Sequence, residues 1–561
     1  MKRAPLGVAA TLAATLLFAP GAAAVDDVGT KTLRKGVTTS GILSHMEAFQ
    51  RRANQNGGNR AATTPGYEAS LAYVERRLEN AGYDTERHAF DFATYVQNGP
   101  ATLQREGQAP YVEGTDEAAN DYYVAQFSGS GNVTAPLATT SDITVPPPGG
   151  PGSGTSGCER EDWPAGDQPL AGKIALIQRG TCVFVNKIQL AKDLGAVGVL
   201  IFNDGGTNRE EPFQIGAPQF IGIPVVMTSA TVGAALYAAT QQGVVNVTLT
   251  VDATSEETVQ HNLIADTDSG DPERTIVVGA HLDSVEEGPG INDNGSGSGT
   301  LIEMAEEITE LKAKPRNRVR FAWWGAEEAG LVGSNAYVAD LIESGEIDDI
   351  EANLNFDMLA SPNFVRFVYD GDNSTGLGVE GPPGSAEIEE LFVSYFESEG
   401  LESEPTPFSG RSDYGPFIAA AAYVPAGGLF SGAEGVKTEA QAAIYGGAAG
   451  SWYDPCYHQA CDTYRTVLYG PPFEGLSAAD GLEEGSEAAD AALMRGNAAV
   501  GLGQLADAAA HATWTLARSR SPLVGPANLS AARTASARRS FAQDARRAAK
   551  AQEYKGGLRI R

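Results

Sequence analysis

The sequence predicts an α/β fold, a sheet covered by helices on both faces, with a second folded unit set into it. From residue 255 onward, short apolar runs that read as buried strands alternate with helical patterns. A compact strand–helix–strand unit stands apart from that alternation, behind a Pro/Gly/Ser-rich passage. The chain of 561 residues, 42% apolar and 20% charged, is long enough to bury more than one core.

The first residues read as an export leader. Lys2 and Arg3 precede the apolar run LGVAATLAATLLFA, and AAAVDD offers a small-residue cleavage site after Ala24. The run is too short for a membrane span, and no run of about 20 apolar residues follows, so a secreted protein with no membrane partner is expected. Next, GILSHMEAFQRRANQN and GYEASLAYVERRLENAGY carry apolar residues at helical spacing, the second closed by a turn at Gly82. TVPPPGGPGSGTSG, at 144–157, is an exposed loop. KIALIQ is then a strand, VFVNKIQLAKDLGA a helix and VGVLIFN a strand.

Beyond 255 the strands TIVVGAHLD, RVRFAWWG and IEANLNFDM alternate with the helices GSGTLIEMAEEITELKA, VGSNAYVADLIES and SAEIEELFVSYFESEG. An extended passage at 468–500 precedes a last helix, LADAAAHATWTLARS. From Arg518 to Arg561 eleven Lys and Arg stand against Asp544 and Glu553, a net of +9 that leaves the rest of this −31 chain at −40. That tail is solvated or removed by processing, or it docks onto the acidic body.

The acidity itself argues against a nucleic acid partner, because phosphates would be repelled, and it suits sites for cations. Cys158 and Cys182 are 24 positions apart, and Cys456 and Cys461 five apart. In an exported protein these read as two local disulfides, with free structural thiols the plainer alternative. The spacing does not suggest one zinc site built from four thiolates.

Six histidines occur, and two of them stand beside carboxylates at predicted sheet ends. His281 closes TIVVGAHLD, two residues before Asp283; by itself such a histidine is a polar cap. The following loop, GPGINDNGSGSGT, sets Asp293 in a Gly-rich turn that can wrap a small ligand. Glu327 and Glu328 follow RVRFAWWG, NFDM places Asp357 at another strand end, and DPCYHQACD presents His458 between two cysteines. Ligands in such sheets gather outside the carboxyl ends of the strands. Imidazole mixed with carboxylate oxygen suits zinc or a similar divalent ion.

GAHLDSV, GPGINDNGSGSG, WWGAEEAGLVGS, NFDM, GRSDYGPF and CYHQACD, in that order, resemble the secreted bacterial double-zinc aminopeptidases, leucine-aminopeptidase-like zinc exopeptidases. GKIALIQRGTCVFVNKIQLAKDLGAVGVLIFND resembles the protease-associated domain inserted in several exported peptidases. The resemblance implies a zinc-exopeptidase mixed sheet sandwiched by helices, with a β-rich protease-associated insertion. Residues 1–24 are then the leader, 25–119 the first part of the peptidase domain and 120–253 the insertion. Residues 254–518 complete the catalytic domain, and 519–561 form the basic tail. The insertion acts as a lid or substrate gate, or as a passive folded unit.

The same resemblance implies roles residue by residue. His281 and Asp357 hold one Zn2+, Glu328 and His458 a second, and Asp293 bridges the two. Glu327 is the general base that takes a proton from the attacking water and passes it to the departing amine. Asp283 orients a ligand histidine, and a cis peptide is expected at Asp293–Asn294. Tyr457 donates to the developing oxyanion or is a packing aromatic. Arg411 helps define the amino end of the substrate or makes a surface salt bridge. Phe430 lies near a pocket for Leu-like first residues.

The activity implied is removal of N-terminal residues from peptides or proteins with free N-termini, by a monomer. Calcium (Ca2+) is admitted as a modulator without a motif that demands it. The alternatives on the same scaffold are a carboxypeptidase or a glutaminyl-cyclase-like enzyme. A pseudo-peptidase binding protein is a third, which the complete set of metal ligands and base argues against.

Overall fold

A computed structural model of the protein describes residues 29–114, 120–182, 184–207, 209–213, 222–471 and 493–524. The expected leader, the middle of the 468–500 passage and most of the basic tail lie outside the described residues.

Three helices lead: α1 (Thr30–Gly36), α2 (Thr39–Gln55) and α3 (Pro65–Ala81). Their ends are set locally. The Thr38 and Thr64 side chains accept the N–H groups of Gly41 and Tyr67, Pro65 occupies the first turn of α3, and Gly82 closes it at φ 97°. Strand β1 (Thr85–Gln97) then pairs antiparallel with β9 (Ala253–Asp266), from Thr85 opposite Ala265 to Gln97 opposite Ala253. This long ribbon carries the chain out to a second sheet and back.

The second sheet comprises β2 (Thr102–Arg105), β3 (Tyr122–Val124), β4 (Gly131–Thr139), β5 (Ile174–Gln178), β6 (Gly198–Phe202), β7 (Val225–Thr228) and β8 (Asn246–Val251). Its order is β2-β8-β4-β5-β6-β7-β3, so one strand comes from ahead of residue 120. Helix α4 (Phe184–Asp193) packs Ile188 and Ala191 on one face, and α5 (Ala230–Thr240) packs Val232 and Leu236 on the other. The Cys158–Cys182 disulfide is formed.

The main sheet adds β10 (Asp271–His281), β11 (Asn317–Trp324), β12 (Ile350–Phe356), β13 (Phe367–Tyr369), β14 (Glu404–Thr406) and β15 (Ala426–Phe430). Its order is β1-β9-β11-β10-β12-β15-β13-β14. The neighbours β11, β10, β12 and β15 are parallel, whereas β1, β9 and β13 bring antiparallel pairings, which makes the sheet mixed.

Central β10 is buried from Thr275 to His281, as a strand covered on both faces must be. Ile276, Val278 and Ala280 face a layer built by α1 to α3, α6 (Gly295–Glu310), α8 (Ser385–Ser398) and α12 (Asn497–Arg518). Val277 faces the opposite layer of α7 (Val332–Ser344) and α9 (Gly415–Ile418). The short helices α10 (Glu439–Tyr445) and α11 (Tyr464–Tyr469) flank the Cys456–Cys461 loop in sequence. Among the described residues, no helix is long and apolar enough to cross a membrane.

Candidate active site

The three central parallel strands end on one edge, and each delivers polar groups there. β10 closes at His281, β11 is followed by Glu327 and Glu328, and β12 by Asp357. The loop from β10 to α6 brings in Asp293, and the loop closed by Cys456–Cys461 brings in His458. Tight packing shapes the first of these loops. At Gly290, where φ is 59°, a Cβ would stand 2.2 Å from the Asp293 carbonyl oxygen. Ala326, Met358 and His458 adopt φ values of 56°, 57° and 56°, a conformation that costs non-glycine residues energy and collects at functional sites.

All five expected ligands converge. His281 Nε2 lies 3.1 Å from Asp293 Oδ1 and 3.1 Å from Asp357 Oδ1. His458 Nε2 lies 3.3 Å from Asp293 Oδ2 and 3.1 Å from Glu328 Oε2. Asp293 thus divides its two oxygens between two sets, each with one imidazole and one further carboxylate. The Asp293–Asn294 peptide is cis.

A surrounding layer of hydrogen bonds fixes these groups. Asp283 Oδ1 and Oδ2 accept the backbone N–H groups of Glu327 and Glu328, at 3.1 and 3.2 Å. His281 Nδ1 is closer to the Asp283 carbonyl, at 3.2 Å, than to its carboxylate, at 3.6 Å. Asp462 accepts the N–H groups of Asn292 and Asp293, at 2.7 and 3.0 Å. Asn294 Oδ1 accepts from Gly297 and Met358, tying the Asp293 loop to the end of β12. Ser412 Oγ donates to Asp357 Oδ2 at 2.5 Å.

The cluster is rich in buried negative charge. Burial raises the Glu327 carboxyl well above its ordinary range; His281 opposes the rise, and Asp413, Glu328 and Asp357 reinforce it. Burial likewise lifts Asp413 to about 8. At His458 burial opposes protonation, but Glu328 and Asp293 outweigh it and push the imidazole up to about 11. Among the described residues, the buried Glu328 Oε1 has no hydrogen-bond partner. Carboxylates gathered this closely need compensating positive charge, and this donor set fits a divalent ion of the zinc type.

Residues 262–470 match the profile of Peptidase family M28, and residues 133–236 that of the PA domain. Over 438 residues the chain is 45% identical to an "Aminopeptidase" of Pseudomonas aeruginosa, spanning 78% of each protein. The chain belongs to peptidase family M28. A second relative, "Probable leucine aminopeptidase 2" of Aspergillus fumigatus, is 39% identical over 414 residues, 73% of this chain and 75% of that one. Among solved structures, the aminopeptidase from Aneurinibacillus sp. strain AM-1 shares the fold, with a TM-score of 0.57 at 23% identity over 89% of this chain and 98% of that one. This M28 protein is a hydrolase of the aminopeptidase type with a PA domain inserted, and these relatives do not favour the carboxypeptidase, cyclase or pseudo-peptidase readings.

At the open side of the M28 site, the Tyr457 ring lies on the His458 imidazole with centroids 3.8 Å apart. Arg411 Nη2 donates to the Tyr457 hydroxyl at 3.2 Å, and its Nη1 meets Glu434 at 2.5 Å. Phe430 is half-buried, stacks on Phe367 and closes a strand whose Leu429 pairs with Phe356, next to Asp357.

Several residues at this site carried no role in the sequence reading. Asp462, Ser412 and Asp413 stood inside quoted motifs, and only their polarity beside a buried strand end could have marked them. Arg60 gave less signal still. It is fully buried, donates to the carbonyls of Leu282, Pro289 and Gly290, and faces Asp283, Asp462, Asp293 and Glu328.

Proposed function

We propose that the chain is a secreted, monomeric aminopeptidase carrying two zinc ions, which releases N-terminal residues from peptides and prefers leucine or another apolar first residue. The observation that carries this reading is the division of Asp293 between the His281–Asp357 and His458–Glu328 sets. Each set offers one nitrogen and one oxygen besides the shared carboxylate, a donor set that fits zinc, and the unpartnered Glu328 Oε1 is free to serve as a ligand atom. When bound, two zinc ions would lower the pKa of a water and polarise the scissile carbonyl.

The chain's own residues do the rest. Glu327, buried and held by Asp283 through its backbone, accepts the proton of the attacking water and returns it to the departing amine. The Tyr457 hydroxyl donates to the oxyanion as it forms. The carboxylates of Glu327 and Asp357 attract the free α-ammonium group, and the Phe430 wall accepts an apolar side chain. Secretion rests on the leader at 1–24. Residues 25–119 and 254–518 contribute the catalytic domain and 120–253 the insertion, whose sheet also takes β2 (Thr102–Arg105) from the first segment, and the tail from 519 onward is solvated or removed by processing.

The test is hydrolysis of Leu-p-nitroanilide beside its N-acetylated form and beside peptides blocked at the amino end. Cleavage of the free amine alone, abolished by chelation and restored by zinc, is expected. Equal cleavage of the acetylated substrate would refute the assignment.

A further inference from the structure

Outside the ligand set, three side chains form a hydrogen-bonded chain that ends on the proposed oxyanion donor. Glu434 Oε1 meets Arg411 Nη1 at 2.5 Å, and Arg411 Nη2 donates to Tyr457 Oη at 3.2 Å. A guanidinium has donors and no acceptor, so the phenol oxygen must accept in this bond. The phenol's own proton is therefore directed away from Arg411 and is free to be given elsewhere. Stacking of the Tyr457 ring on His458 holds that hydroxyl beside the cluster of ligands.

Glu434 is itself held by backbone. Its neighbours Ala433 and Gly435 accept, through their carbonyls, the N–H groups of Asp454 and Tyr453, at 3.0 and 2.8 Å. The segment bearing Glu434 is thus strapped to the segment that leads into Tyr457 and His458. Gly435 permits this approach, since a Cβ there would stand 2.6 Å from the Tyr453 ring. Side chains of Arg411 and Glu434 are 52% and 41% exposed, so the pair adds little to stability and its value lies in geometry.

We propose that Glu434 is a positioning residue for the aminopeptidase reaction: by fixing the Arg411 guanidinium it makes the Tyr457 oxygen an acceptor and aims the phenol proton at the substrate's developing oxyanion. This rests on the reading of Tyr457 as oxyanion donor. It also assigns Arg411 to the phenol instead of to the substrate's ammonium group, whose charge it shares. Arg411→Lys keeps the charge but loses the two-pronged geometry, so it behaves like loss of Glu434.

The test is a double-mutant cycle on Leu-p-nitroanilide with Glu434→Gln, Tyr457→Phe and both together. Glu434→Gln is expected to lower kcat by about 3- to 10-fold with KM within about twofold, since the lost interaction acts only in the transition state. In the Tyr457→Phe background the same change should leave kcat unaltered. An equal loss in both backgrounds, or a rise in KM with kcat intact, overturns the role of Glu434. Tyr457→Phe with wild-type kcat overturns the underlying reading of Tyr457, a result distinct from either.

Discussion

The backbone N–H of Glu327 donates to Oδ1 of Asp283 at 3.1 Å, while the other oxygen of the same carboxylate holds the N–H of Glu328. One buried side chain thereby sets the peptide units from which two adjacent glutamates depart. Glu328 turns to His458, and Glu327 stays with Asp413 and Asp357 among its neighbours. Asp283→Asn keeps the size but leaves a single acceptor oxygen for two N–H groups. We expect kcat/KM to fall about 10- to 100-fold with the fold retained, as for residues that orient metal ligands. Unchanged kinetics on Leu-p-nitroanilide would show that the two glutamates need no such anchor.

The Cys456–Cys461 loop carries Tyr457 and His458, the latter at φ 56°. Replacing both cysteines by serine frees that loop. A loop this short is worth about 2 kcal/mol in chain entropy, so the protein should still fold. The cost should fall on the metal that His458 is proposed to hold, with affinity down about tenfold in a chelator competition. Equal metal affinity in the two proteins would separate the disulfide from the site.

Lys437 predicts a pH effect on stability. Its ammonium is buried under Phe364 and Tyr445 and donates to the Phe364 and Gly446 carbonyls; burial lowers its pKa to about 7, with Glu404 opposing and Arg366 assisting. Unfolded, it titrates near 10.5, so between these values the unfolded chain holds one more proton than the folded one. Stability therefore gains from this residue as pH rises from about 7 toward about 10.5. The urea midpoint of the wild type should rise relative to that of Lys437→Met over that interval. A constant difference would mean that the lysine keeps one charge state throughout.

Metal removal is a third lever on stability. Without cations, Asp293, Glu328, Asp357 and Glu327 face one another in a buried cluster. Zinc at about 1,000 times its Kd adds about 4 kcal/mol to the folded state. Tm should drop on chelation and recover with added zinc, read by scanning calorimetry. A Tm indifferent to chelator would leave the cluster without a resident ion.

Much of this architecture was legible in the chain because period and punctuation agreed. α3 lies between Pro65 and the Gly82 turn, and β10 and β11 appear where buried apolar runs end in His281 and in Trp323–Trp324. His281, Glu328 and Asp357 of the candidate cluster stood out because they sit where strands stop, whereas Asp293 and His458 come from loops marked by glycines and by a cysteine pair. Less visible was the long pairing of β1 with β9, which joins segments separated by the whole insertion and leaves only half-polar strands in sequence. Equally hidden was Arg60, whose three carbonyl partners belong to a loop more than 220 positions away. Local pattern reveals what an element is, whereas backbone carbonyls carry no sequence signal that announces their partner.

The central claim is that Glu327 moves the proton while five other residues hold two zinc ions. Glu327→Gln keeps the side chain's size and removes its ability to accept that proton. Elemental analysis beside kcat for Leu-p-nitroanilide is the most direct test. Two zinc ions per chain, retained while kcat falls about 100- to 10,000-fold, is the predicted result. Near-normal turnover in this variant, or a wild-type protein fully active with a single metal ion, would contradict the account.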